Sequence, residues 1–224
     1  MMETSAFLEP SFDSRRESRG PLFDERVRGA GYGVIPDAEV SYRRHFLESV
    51  EADRAFEALL ARRDWQRLRG KVFGREVAMP RSTAWWGDPG ARYRYSGITH
   101  VARGWPPFVE ALRDRLQAEL GVCFNSVLAN RYRDGRESMG WHSDDERELG
   151  ERPVIASLSF GAERRFLMRH RSRKDLETVE WLLGHGSLLL MAGETQRQWK
   201  HRLPPVARCK EERVNLTFRQ VRGA

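Results

Sequence analysis

The seven residues Arg213-Val-Asn-Leu-Thr-Phe-Arg219 constrain the fold of this chain more than any other stretch. Apolar and polar side chains alternate with a period of two, so on an extended strand they separate onto opposite faces. Val214, Leu216 and Phe218 form one face, which packs into a core, while Arg213, Asn215, Thr217 and Arg219 form the other. Two guanidinium groups cannot be buried without anionic partners. A small dicarboxylate would satisfy them, because an Arg fork pairs a carboxylate through two charge-assisted bonds.

A second stretch, Asn125 to Glu146 (NSVLANRYRDGRESMGWHSDDE), supplies a complementary chemistry. His142 and Asp144 stand two positions apart, and on an extended segment such residues point to the same face. His201, in QWKHRLP, is the candidate third ligand for a metal held by that pair. Two imidazoles and one carboxylate on one face of an octahedron leave three positions open, an arrangement suited to Fe(II) and oxygen chemistry. An H-x-D alone is a common chance occurrence; the arginine-bearing strand gives it weight. Iron ligands beside a carboxylate clamp suggest an oxygenase that uses 2-oxoglutarate. A zinc hydrolase built on the same two His and one Asp has no need for Arg213 and Arg219, and a non-catalytic nucleic-acid binder needs none of the three ligands.

Asn130-x-Tyr132, His142-x-Asp144, His201 and Arg213-x-Asn215-x-Thr217-x-Arg219 resemble the AlkB family of Fe(II)/2-oxoglutarate-dependent nucleic-acid demethylases, from about Val72 to Val221. The resemblance implies a mainly β, α+β fold: a double-stranded β-helix, or jelly roll, with helices packed outside. It implies Fe(II) held by His142, Asp144 and His201, with 2-oxoglutarate as cosubstrate and O₂ as oxidant. Arg213 would pair the distal carboxylate, and Arg219, Asn215, Asn130 and Tyr132 would secure the rest, with Thr217 in support. The reaction implied is oxidation of an N-methyl group on a base such as 1-methyladenine or 3-methylcytosine in DNA. Formaldehyde, succinate and CO₂ are released. The same chemistry on RNA or single strands is the alternative.

The chain of 224 residues fits one domain with a formal charge of +7. Lysine occurs only at positions 71, 174, 200 and 210, so nearly all the basic residues are Arg. Such a surplus favours phosphate-rich partners, although a solvated surface accounts for it equally well. Cys123 and Cys209 make neither a disulfide framework nor a metal motif, which suggests a reducing compartment. No apolar run approaches the ~18 residues that span a bilayer, and the polar N-terminus is no secretory signal. A soluble, cytoplasmic monomer is expected. Residues 1–33 read as a poorly ordered tail and 34–224 as one domain. Within it, 34–122 would recognise the nucleotide and 123–224 form the catalytic jelly roll.

Helical spacing predicts a helix from Glu51 to Arg63 and a second from Pro107 to Leu120, stopped by Gly121. The stripe of the second is Phe108, Leu112 and Leu116. Between them, Val72-Phe73-Gly74 places an apolar tip on a turn flanked by Lys71, Arg75 and Arg81, with Arg81 a candidate substrate contact. Phe73 either folds inward or serves as a wedge in a base stack; duplex-acting members of the family carry a Val-Phe-Gly tip with the second role. Tyr93 and Tyr95 share one face of a strand, and the family implies a pocket where they and His142 hold a flipped base. A cationic methylated ring would suit their aromatic faces. Asp145 and Glu146 either favour that charge or orient the strand. Arg169, His170, Arg171, Arg173 and Lys174 read as a basic loop able to grip phosphates, with Arg169 and Arg171 foremost. His185, between two glycines, reads as a structural turn residue. One departure from the duplex-acting pattern follows His201: Pro205-Val206-Ala207-Arg208 stands where some members carry a basic triplet.

Overall fold

The structure, a computed structural model, describes residues 35–72, 75–95 and 98–222, and the backbone alone of 70–72, 75–76, 92–95 and 98–101. The expected tail, residues 1–33, and the tip residues Phe73 and Gly74 lie outside the described residues. In order, the chain forms β1 (Glu39–Arg43), α1 (Ser49–Leu60), β2 (Arg69–Val72), β3 (Arg75–Ala78), β4 (Ser82–Gly87), β5 (Arg92–Tyr95), β6 (Ile98–Val101) and α2 (Pro107–Leu120). There follow β7 (Ser126–Tyr132), β8 (Met139–His142), β9 (Ile155–Gly161), β10 (Arg164–His170), β11 (Val179–Leu183), β12 (Ser187–Ala192), the one-turn α3 (Thr195–Gln198), β13 (Trp199–Leu203) and β14 (Arg213–Arg219).

Two antiparallel sheets make the body of the domain. The larger runs β1-β12-β9-β14-β7-β4 and the smaller β11-β10-β13-β8. Two further hairpins, β2–β3 and β5–β6, stand apart from them. This is the jelly-roll solution to the problem of exposed strand edges.

Alternation along the strands of the larger sheet feeds two apolar layers. On β14, Val214, Leu216 and Phe218 join Ala156, Leu158 and Phe160 of β9 against α1 and α2, through Leu59, Leu112 and Leu116. On the other side Leu128, Ile155, Leu189 and Met191 meet Phe166, Met168 and Trp181 of the smaller sheet. All seven residues of β14 are buried, because both of its faces are covered. Its polar face is therefore an interior surface between the sheets, where any charge must find a partner.

The second helix has the bounds its sequence suggests, with Pro107 in the first turn and Gly121 closing it at φ 65°. That left-handed conformation is one that a Cβ disfavours. Its innermost residue is Val109 together with Leu112 and Leu116, and Phe108 is only half-buried. The first helix ends at Leu60, three residues earlier than its periodicity suggests. Arg62 instead closes on Asp64 with two hydrogen bonds of 2.8 and 2.7 Å, and its guanidinium lies 4.9 Å over the Trp86 ring.

Candidate metal and cosubstrate site

The smaller sheet supplies the metal-binding chemistry. His142 ends β8 and stands directly opposite His201 on β13 in the strand register, so their rings meet with centroids 4.2 Å apart. Asp144 lies two residues beyond His142, and candidate ligand atoms of the three side chains all fall within 4.8 Å of one another. The His142 Nδ1–H donates to the carbonyl of Gly140 at 2.9 Å. A carbonyl only accepts, so Nδ1 carries the proton and Nε2 keeps its lone pair for a metal. The backbone N–H of Asp144 donates to Gln196 Oε1 at 2.9 Å, which fixes where its carboxylate starts.

Electrostatics hold the three in the protonation states a metal requires. Burial pushes His201 down to about 3, and His142 lowers it further. Burial also lowers His142, against the opposing pull of Asp144. For Asp144 burial acts upward, but Arg219, His201 and His142 outweigh it and hold the carboxyl at about 2. Arg219 Nη2 sits 2.9 Å from Asp144 Oδ1 with both side chains almost fully buried. Two neutral imidazoles and one carboxylate form a donor set that fits Fe(II).

The larger sheet faces this cluster with the residues of β7 and β14. Their register pairs Arg213 with Tyr132 and Asn215 with Asn130. These four line one cavity with His142, Asp144, His201, Ser157, Thr217 and Arg219. Two guanidinium groups and a single carboxylate face that cavity. Arg213 is fully buried and donates to Ser159 Oγ at 2.8 Å, and its Nε meets no hydrogen-bond partner among the described residues. Burial pushes its guanidinium down from 12.5 to about 10. Such a wall fits a small dianion. Asn215 differs from its neighbours: its Nδ2 donates to Ser157 Oγ and the Leu158 carbonyl, and its Oδ1 accepts from Thr217 Oγ1. Its amide thus braces the wall, and Thr217 orients the brace.

The expected nucleotide-contacting residues have varied placements. Tyr93 and Tyr95 fall on β5, paired with β6, and their side chains lie outside the described residues, as does Phe73. Arg81 is buried, 4% exposed, and its Nε donates to Asn130 Oδ1 at 2.8 Å. It sits behind the Asn130 side of the cavity and is not offered to solvent. Arg171 is no free cation of a loop. It donates to Ser143 Oγ at 2.8 Å and makes a tight ion pair with Asp145, tying the segment that carries the ligands to the end of β10. Glu146 is half-buried beside them. His170 is also taken out of the expected basic loop: it is buried at the end of β10 with Nε2 3.4 Å from Asp37. Arg173 pairs with Asp175 at 2.7 Å. Arg169 is exposed, with its guanidinium 4.3 Å over the Trp141 ring. His185 accepts the Gly161 N–H at Nδ1 and packs against Phe56, as a turn residue does.

Three residues around the site are not among those the sequence singles out. Ser157 and Ser159 interrupt an apolar strand at alternate positions, a pattern that the reasoning applied to β14 would have caught. Gln196 lies in a one-turn helix and betrays nothing until the fold brings it to Asp144.

Comparison with known proteins agrees with this geometry. Residues 39–219 match the 2OG-Fe(II) oxygenase superfamily, and the chain belongs to that family. Within it, the chain is 43% identical over 180 residues to the DNA oxidative demethylase ALKBH2 of Mus musculus, covering 76% of this chain and 75% of that protein. It is 42% identical over 224 residues to the alpha-ketoglutarate-dependent dioxygenase alkB homolog 3 of Homo sapiens, covering 96% and 78%. The solved structure of OsALKBH1 superposes with a TM-score of 0.56 at 16% identity, covering 84% of this chain and 99% of that one, a likeness of fold. Among the described residues no helix is long and apolar enough to cross a membrane.

Proposed function

We propose that this protein is an Fe(II)- and 2-oxoglutarate-dependent oxidative demethylase that restores N-alkylated bases in DNA. The convergence of His142, Asp144 and His201 beside a buried Arg213 with no acidic partner among the described residues carries the reading. The DNA oxidative demethylase among its relatives supports the substrate class. Ferrous iron bound there would couple the oxidation of 2-oxoglutarate by O₂, yielding succinate and CO₂, to oxygen insertion into a substrate C–H bond.

Each part of the chain then has a task. His142 and His201 present neutral imidazoles, and Asp144 stays ionised beside Arg219. Arg213 pairs the distal carboxylate of the cosubstrate, with Tyr132 beside it and Asn130 nearer the metal. Asn215 and Thr217 hold that wall in shape. Asp144 and His201 are buried between the two sheets. A methyl group on adenine N1 or cytosine N3 blocks pairing and adds positive charge, so the damaged nucleotide is easier to flip out. Tyr93 and Tyr95 would hold the cationic ring, with Glu146 and Asp145 near its charge, Arg169 towards the phosphates, and Arg171 holding Asp145 in place. The hydroxymethyl product loses formaldehyde and leaves the normal base.

Double-stranded DNA is the proposed substrate form, with Phe73, which follows β2 in the sequence, as the wedge that fills the gap. Formaldehyde release from oligonucleotides bearing one 1-methyladenine, compared single-stranded and duplex, tests this. Release from both, with the duplex more sensitive to Phe73→Ala, is expected. Release from neither, in the presence of iron and 2-oxoglutarate, would remove the assignment.

A further inference from the structure

Arg81 is a cation that the chemistry described so far does not use. It lies one residue before β4, is 4% exposed, and reaches Asn130 on the neighbouring strand β7. Its Nε–H donates to Asn130 Oδ1 at 2.8 Å. A guanidinium carries donors and no acceptor, so it accepts only one of the two orientations of the facing carboxamide. With Oδ1 turned to Arg81, the Nδ2 end is what remains for the cavity that Asn130 lines. An amide NH₂ pointing into that cavity donates to a carboxylate or keto oxygen. The flipped amide would set a carbonyl oxygen against the same anion and repel it.

We infer that Arg81 is a positioning residue for the cosubstrate: it locks the Asn130 carboxamide so that Nδ2, and not Oδ1, faces 2-oxoglutarate. This rests on the proposed reading of the cavity as the 2-oxoglutarate site. It differs from a direct role of Arg81 on nucleic acid, for which the flanking sequence gave the first suggestion. Asn215, across the strand register from Asn130, shows the same device with other partners. Its amide is fixed from both ends by Ser157, the Leu158 carbonyl and Thr217. The two facing amides on β7 and β14 are therefore each held in one orientation by a neighbour.

The test measures the dissociation constant of 2-oxoglutarate, titrated without oxygen into protein loaded with Fe(II), alongside the KM for methylated oligonucleotide. Arg81→Met, Arg81→Lys, Asn130→Ala and the Arg81→Met/Asn130→Ala pair are compared, with melting temperatures recorded. Losing one hydrogen bond to a charged group predicts that Arg81→Met weakens 2-oxoglutarate about tenfold. The oligonucleotide KM should stay within about twofold of the native value, a change below ~0.5 kcal/mol. Arg81→Lys, which keeps a donor, should recover part of the loss. The double variant should bind 2-oxoglutarate no worse than Asn130→Ala, because Arg81 acts through Asn130. Should Arg81→Met not fold, Arg81→Gln takes its place, since it ends short of Asn130. Unchanged 2-oxoglutarate affinity in Arg81→Met, while Asn130→Ala is impaired, overturns the inference. So do additive losses in the double variant, or a rise confined to the oligonucleotide KM. If Asn130→Ala itself binds 2-oxoglutarate normally, Asn130 does not contact the cosubstrate and the inference fails; native protein that binds no 2-oxoglutarate would instead overturn the reading of the cavity.

Discussion

Replacing Arg213 with Met separates binding from stability in a way that few substitutions do. The guanidinium is 2% exposed, and burial pushes its pKa from 12.5 down to about 10. Keeping it charged there costs on the order of 3 kcal/mol. Among the described residues it is answered by the Ser159 hydroxyl at 2.8 Å and by the Tyr132 ring, 5.7 Å from its Cζ. Removing it forfeits about 1 kcal/mol for the bond to Ser159, and Met fills nearly the same volume. The free variant should therefore be at least as stable as the native protein, by about 1–2 kcal/mol on this balance of charge burial against one bond. Cosubstrate binding should move the opposite way. A carboxylate held by two charge-assisted bonds of about 1.5–3 kcal/mol each loses both, so affinity should fall by roughly two orders of magnitude or more. Native protein at a hundredfold excess of 2-oxoglutarate over its dissociation constant should gain about 2.7 kcal/mol of stability, and the variant almost none. Urea denaturation with and without 2-oxoglutarate measures all of these. A free variant several kcal/mol weaker than native that still binds 2-oxoglutarate would refute the reasoning, for Arg213 would then be a structural cation.

Acid should destabilise the metal-free protein well above the range of ordinary carboxylates. His201 has a folded pKa of about 3 against about 6.5 in the unfolded chain, so its contribution is complete above about pH 6.5 and is lost as pH falls towards 3. The slope it adds approaches 1.4 kcal/mol per pH unit, and denaturation midpoints at several pH values should show a shallower slope in His201→Asn. Gly161→Ala should cost more than about 2 kcal/mol, read from the melting temperature. At φ 79° its Cβ would meet the Glu212 carbonyl oxygen and the Phe56 ring. Arg171→Ala should loosen the segment carrying Ser143 and Asp145 and weaken Fe(II) binding severalfold, while leaving 2-oxoglutarate affinity at saturating iron unchanged. Competition with a metal-sensitive dye measures it.

What the sequence made legible was the chemistry that repeats with the period of a strand. The alternation at 213–219 points to side chains sharing a face, and β14 places them so; His142 and Asp144 do converge, although β8 ends at His142 and Asp144 follows two residues past it. Pro107 and Gly121 bracket α2 because both act within one turn. The bounds of α1 were less legible, since Arg62 leaves the helix for Asp64 and Trp86, partners no local pattern reveals. The same reason hides Gln196 and the Asn130 partner of Arg81: one reaches Asp144 from 52 residues away and the other reaches Asn130 from 49. A string of basic residues also says nothing about its counterions. Arg171 and Arg173 look like free cations until the fold brings Asp145 to one and a turn brings Asp175 to the other.

Anaerobic addition of Fe(II) and then 2-oxoglutarate tests the centre of the account directly. The native protein should develop a visible metal-to-ligand charge-transfer band that saturates at one cosubstrate per chain, and Asp144→Ala should develop none. A native protein that binds iron yet shows no such band on adding 2-oxoglutarate would contradict it.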